Sequence, residues 1–229
     1  MQLYIGNKNY SSWSMRPWVL MTHFGLPFEE VLVRFDSFDP GSRFKTVVGA
    51  LAPTGKVPLL VEGELVVWDS LAIAETLAER FPQHPLWPAD PLQRARARSL
   101  CAEMHSGFGA LRNACPMNIE AHLPEVGTQV LREQPDVAAD LARLQTMWTE
   151  ALAASGGPFL FGPFGIVDAY YAPVVARLRS YALPVSPVVQ AYMDRVWASP
   201  GVAAWVAQAL QERDFLPFEE PYRKAGAPG

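Results

Sequence analysis

Between Pro82 and Pro91 the chain reads PQHPLWPADP, with four prolines in ten residues. Proline has no backbone N–H and a fixed φ, so neither a helix interior nor a central strand can run through this stretch. It divides the chain into two parts of different periodicity. Before it, short apolar runs alternate with helical patterns; after it, the strand signals stop. With 229 residues the chain exceeds one typical core, so two units fit.

In the first part QLYIG (Gln2 to Gly6) predicts a short strand, and Met15 to Phe24 a helix stopped by Gly25. LPFEEVLVRF (Leu26 to Phe35) has the β-branched alternation of a second strand, and Gly41 to Leu51 predicts a short irregular helix before the APTG turn. KVPLLVEG and ELVVWDS, separated by Gly63-Glu64, predict an antiparallel hairpin. DSLAIAETLAERF then sets Leu71, Ala74, Leu77, Ala78 and Phe81 on one helical face. Beyond the prolines, Leu92–Arg112, Val137–Ala154, Val167–Tyr181, Val188–Ala198 and Val202–Arg213 all read as helices. The expected fold class is α/β + all-α. An α/β unit spans 1–81, a proline-rich linker 82–91, a helical domain 92–215, and a loosely packed tail 216–229.

Half of the residues are hydrophobic and 18% are charged, which sets aside a disordered chain. A net charge of −4 argues against a nucleic-acid partner. No apolar run reaches the ~18–20 residues that span a membrane, and no basic n-region with an apolar stretch opens the chain, so a soluble cytoplasmic protein is expected. Cys101 and Cys115 match no metal or redox spacing and read as buried free thiols; no metal site is expected.

Three stretches carry candidate chemistry. Pro58, just inside an apolar run, marks either an edge strand or a cis peptide bond; the latter would turn the Val57 backbone outward to pair with an extended peptide. Asp69 and Ser70, at a strand-to-helix junction, are good N-caps, and they also suit a ligand bearing a carboxylate beside an ammonium. SSWSMR gathers Ser11, Ser12 and Ser14 with Trp13 and Arg16 where the first helix begins. An anion such as a thiolate docked there gains from the free N–H groups and from a hydroxyl donor. Serine as covalent nucleophile lacks a placed base and a GxSxG elbow.

Taken in order, SSWSMR, APTGKVPLL, WDS and the proline-rich linker resemble the glutathione transferase family over nearly the whole chain, to about residue 215. SSWSMR looks most like the zeta-type SSCxWR signature. The resemblance implies an N-terminal thioredoxin-like domain that binds glutathione, an all-helical C-terminal domain that completes the pocket, and a homodimer. It implies a transferase, with detoxification as the broad role, that ionises the glutathione thiol under Ser11 or, ranked second, Ser12 and adds it to a small apolar electrophile. Val57 would pair with the cysteinyl backbone ahead of Pro58. Asp69 and Ser70 would hold the γ-glutamyl end, Lys56 the glycyl carboxylate, and Trp13, Ser14 and Arg16 would complete the binding loop. His105, Phe108 and Arg112 would line the second pocket from one helix. Two alternatives stand beside this: a zeta-like maleylacetoacetate isomerase, and a non-catalytic dimerisation or regulatory module. Trp13 replaces the cysteine of the isomerases, and their helical-domain arginine has no clear counterpart, Arg177 and Arg179 lying nearby. In GIVDAYYAPV, Gly165 stands where the family's capping box has a serine or threonine, leaving Asp168 only half of that box.

Overall fold

The computed structural model describes residues 1–225. The first unit runs β1 (Gln2–Ile5), α1 (Ser12–His23), β2 (Glu29–Leu32), α2 (Arg43–Leu51), β3 (Leu59–Glu62), β4 (Leu65–Trp68) and α3 (Ser70–Arg80). The sheet order is β2-β1-β3-β4. β1 and β2 are parallel, with Leu3 opposite Glu30; β3 is antiparallel to both β1 and β4, with Leu60 opposite Leu3 and Val67. Successive residues on β3 face opposite ways, and both faces are covered. Leu60 packs with Leu3, Ile5, Met15 and Ile73 beneath α1 and α3, while Leu59 packs with Phe44 and Val48 of α2. This is the thioredoxin-like layer arrangement.

α4 (Pro91–Ser106), α5 (Gly109–Ala114), α6 (Pro124–Glu133), α7 (Pro135–Ser155), α8 (Ile166–Ser180), α9 (Pro187–Ala198) and α10 (Pro200–Glu212) form the helical domain. α8 is its axis: from Ile166 to Leu178 every residue is buried. Proline opens α4, α6, α7, α9 and α10, where a missing N–H costs no hydrogen bond. No helix among the described residues is long and apolar enough to cross a membrane.

The two units are joined by close backbone approaches. A Cβ on Gly201 of α10 would stand 2.3 Å from the Val19 carbonyl oxygen of α1. A Cβ on Gly165 would stand 3.0 Å from the carbonyl oxygen of Leu86 in the linker, which accepts from the Ile166 N–H. That contact accounts for the glycine in the capping box. Only the reciprocal half forms: Asp168 Oδ2 accepts from the Gly165 N–H at 3.0 Å, and Asp168 Oδ1 from Leu160 N–H and Tyr192 Oη.

Three expectations need correction. The segment from Leu92 to Arg112 is two helices, because the chain turns at Gly107 and at Phe108, whose φ is 54°. α6 was not anticipated, its apolar positions being too few to stand out. The tail is not loose as far as residue 225. Glu220 is buried, accepting from Tyr10 Oη at 2.7 Å and Asn118 Nδ2 at 2.9 Å, and Tyr222 Oη donates to the Ala114 carbonyl at 2.8 Å. Residues 226–229 of the expected tail lie outside the described residues.

Candidate functional site

The loop from Gly6 to Ser11 returns the chain from β1 into α1. Ser11 is the N-cap of α1, but its side chain does not cap. It donates instead to Ser14 Oγ at 2.7 Å, and Ser14 Oγ also accepts from the Gly6 N–H at 3.2 Å. Ser14 is wholly buried and ties the end of β1 to the first helical turn. Ser12 is different. Its Oγ accepts from Arg177 Nη2 of α8 at 3.3 Å, which leaves its own proton free to donate.

Val57–Pro58 is a cis peptide bond at the entry to β3, and β3 lies between β1 and β4, so the edge-strand reading of Pro58 is set aside. Asp69 caps α3 by accepting from the Leu71 N–H at 2.8 Å, at φ 76°, a region that side-chain-bearing residues rarely occupy. Such a backbone persists where its surroundings over-determine it, most often at a binding site.

Trp13, Thr54, Lys56, Val57, Pro58, Trp68, Asp69, Ser70 and His105 line one cavity of about 280 Å³. His105 Nε2 lies 3.2 Å from Asp69 Oδ2, and its Nδ1 lies 2.7 Å from Tyr170 Oη. Tyr170 Oη in turn meets Ser70 Oγ at 3.1 Å, and Arg16 Nη1 donates to Ser70 Oγ at 3.4 Å. Arg16 is clamped between the rings of Trp13 and Tyr170, its guanidinium carbon 4.0 and 4.1 Å from their centres. Burial lowers the pKa of Arg16 and raises that of Tyr170, against which the arginine charge pulls.

A second cavity of about 340 Å³ shares Trp13, Lys56 and Val57 with the first. Its wall includes Ser11 and Ser12, the rings of Tyr10, Phe35, Phe38 and Phe44, and the side chains of Lys45, Arg112, Arg177 and Glu219. Arg177 is 6% exposed; burial, then repulsion from Arg16 and Arg112, pushes its pKa down to about 9. Burial pushes the Cys115 thiol up to about 11 and raises Cys101 further, so neither cysteine supplies a thiolate.

The residues singled out from sequence therefore fall into two connected cavities. Pro58 lines the first, while Ser14 and Arg16 support them from outside, Arg16 from beneath Ser70. His105 stands in the first and Arg112 in the second; Phe108 packs into the hydrophobic core and lines neither. Sequence reasoning missed Tyr170 and the aromatic wall, and placed Arg177 only as a neighbour. A polar group amid the apolar run VVARL was the available signal.

Residues 10–80 match the model of the glutathione S-transferase N-terminal domain and residues 120–208 that of the C-terminal domain. The chain belongs to the glutathione S-transferase family. Glutathione S-transferase 1 of Dianthus caryophyllus is 36% identical over 85% of this chain and 86% of its own. A stringent starvation protein A homolog of Haemophilus influenzae is 28% identical over 69% of this chain and 71% of its own. Among solved structures, a glutathione transferase homolog from Burkholderia with bound glutathione superposes with a TM-score of 0.68 at 27% identity. That superposition covers 93% of this chain and 98% of the other.

Proposed function

We propose that this glutathione S-transferase family member is a glutathione-dependent transferase, and that Ser12 donates to the thiolate. The observation that carries the reading is the Ser12 hydroxyl. It sits in the first turn of α1 at the second cavity, holds a guanidinium on its oxygen and has its proton uncommitted. Ser11, whose proton is directed to Ser14, is the weaker candidate. A hydroxyl donor, the helix N-terminus and a nearby cation all favour the charged form of a thiol, which titrates near ~8.5 when free.

Glutathione fits the first cavity by chemistry. Asp69 and Ser70 receive the γ-glutamyl ammonium and carboxylate, Val57 pairs with the cysteinyl backbone, and Lys56 reaches the glycyl carboxylate. Its sulfur would then lie toward Trp13, where the two cavities meet. The glutathione bound in the Burkholderia homolog supports this choice of ligand. The thiolate attacks an electrophile held against the aromatic wall, with proximity and a lowered thiol pKa as the protein's contributions. A cytoplasmic homodimer with a detoxifying role completes the proposal. Titration calorimetry with glutathione tests it. Binding that is weakened about tenfold or more in Ser70→Ala supports the reading, and no heat at millimolar glutathione favours a non-catalytic module instead.

A further inference from the structure

His105 stands in the first cavity with both ring nitrogens engaged. Nε2 faces Asp69 Oδ2 at 3.2 Å, and Nδ1 reaches Ser70 through the Tyr170 hydroxyl in steps of 2.7 and 3.1 Å. A neutral imidazole carries one ring proton, so these contacts have two arrangements. A proton on Nε2 goes to Asp69. Tyr170 then donates to Nδ1 and Ser70 to Tyr170, which turns the serine proton inward. With the proton on Nδ1 the direction reverses: the ring donates to Tyr170, Tyr170 donates to Ser70, and the serine proton is released toward the cavity. Nε2 and Asp69 Oδ2 are then two facing acceptors with no proton between them. An ammonium donating to both completes that pair, while a carboxylate accepts from Ser70. The second arrangement therefore matches a ligand that carries both groups.

We infer that His105 is a positioning residue that couples the ammonium and carboxylate ends of the ligand site, and that its protonation loosens the hold on the ammonium. An imidazolium donates from both nitrogens. It frees the serine proton, but it occupies Asp69 and sets a like charge against the ligand ammonium. The charged and titratable groups around the ring are Asp69 at the start of α3, Tyr170 on α8, Arg16 on α1 and Lys56 across the cavity. Arg112 lies beyond Trp13, whose ring meets the imidazole edge-on, and buried Cys101 stands one turn earlier on α4. Among these side-chain types, imidazole is the one that ordinarily changes charge between pH 5 and 8. The inference rests on the proposed glutathione reading, in which Asp69 and Ser70 hold the γ-glutamyl end. It moves His105 from the electrophile pocket expected from sequence to the glutathione site.

S-methylglutathione and its deaminated counterpart, in which a glutaryl group replaces γ-glutamyl, separate the two ends of the site. The methyl group removes the titration of the thiol. Calorimetry from pH 5 to 8 is expected to show S-methylglutathione binding about three- to tenfold tighter at the upper end. The deaminated ligand, with no ammonium for Asp69, should bind no tighter at pH 8 than at pH 5. In His105→Gln, with its fold checked by circular dichroism, the rise for S-methylglutathione should shrink to about twofold or less. If that variant does not fold, Tyr170→Phe carries the test. It cuts the path to Ser70 and keeps the imidazole beside Asp69, so the rise should persist, and its loss there overturns the assignment. A level affinity for S-methylglutathione, an equal rise for both ligands, or a rise that survives in His105→Gln overturns the role of His105 and leaves the glutathione reading standing. Failure of S-methylglutathione to bind at any pH overturns both.

Discussion

Arg177 donates to the hydroxyl oxygen of Ser12 across 165 positions of sequence, from the last turn of α8 to the first turn of α1. The contact joins the two domains at the wall of the second cavity. An oxygen that accepts from a guanidinium becomes a stronger donor through its own proton. The helical domain thus acts on the hydroxyl of the α/β domain as well as walling the second cavity.

Arg177 remains charged in the fold only below about pH 9. Its folded pKa lies below that of an unfolded arginine, so between those values the unfolded chain binds more protons and stability rises with pH. At neutrality both states are charged and this group adds no slope. Arg177→Met is therefore expected to be as stable as the wild type or more so, by up to about 1 kcal/mol, since a buried charge is replaced by a side chain of similar reach. Chemical denaturation checks this, and a loss above about 2 kcal/mol contradicts it.

Tyr170 links His105 to Ser70 beneath the first cavity. Tyr170→Phe removes both bonds and keeps the ring that packs on Arg16. Glutathione affinity should fall about three- to tenfold, by roughly 1 kcal/mol, with little change in Tm. Titration calorimetry measures it; unchanged affinity would show that Ser70 is oriented without the tyrosine.

Asp168 is wholly inside the helical domain, and burial raises its pKa to about 6. The folded chain then binds more protons than the unfolded one between the ordinary carboxylate range and pH 6, so this group makes stability fall as pH rises through that window. Asp168→Asn should flatten that part of the stability profile relative to the wild type. Asp168→Ala should cost about 2–3 kcal/mol, because Gly165 N–H, Leu160 N–H and Tyr192 Oη all lose their acceptor. Urea unfolding across acidic pH reads both effects.

The layers of the fold were legible because their signals are local. The prolines from Pro82 to Pro91 stop regular structure, and Gly63-Glu64 between two apolar runs sets the hairpin. The first cavity was legible too, since Lys56, Val57, Pro58, Asp69 and Ser70 cluster in sequence at β3 and at the start of α3. The second cavity was not. Its wall brings Phe35, Arg112, Arg177 and Glu219 together from distant segments, and only packing places them. Tyr10, as a lone aromatic, gave no hint that Glu220 would fold back onto it. The turn at Phe108 was hidden because a helical pattern resumes directly after it.

The most direct test is the ionisation of bound glutathione, followed by the ultraviolet absorbance of its thiolate as pH is raised. The account predicts a midpoint at least about one unit below that of free glutathione. It predicts that Ser12→Ala returns most of that shift, with a smaller effect from Ser11→Ala. An identical midpoint in the wild type, both single variants and the double variant would contradict the serine as the group that holds the thiolate.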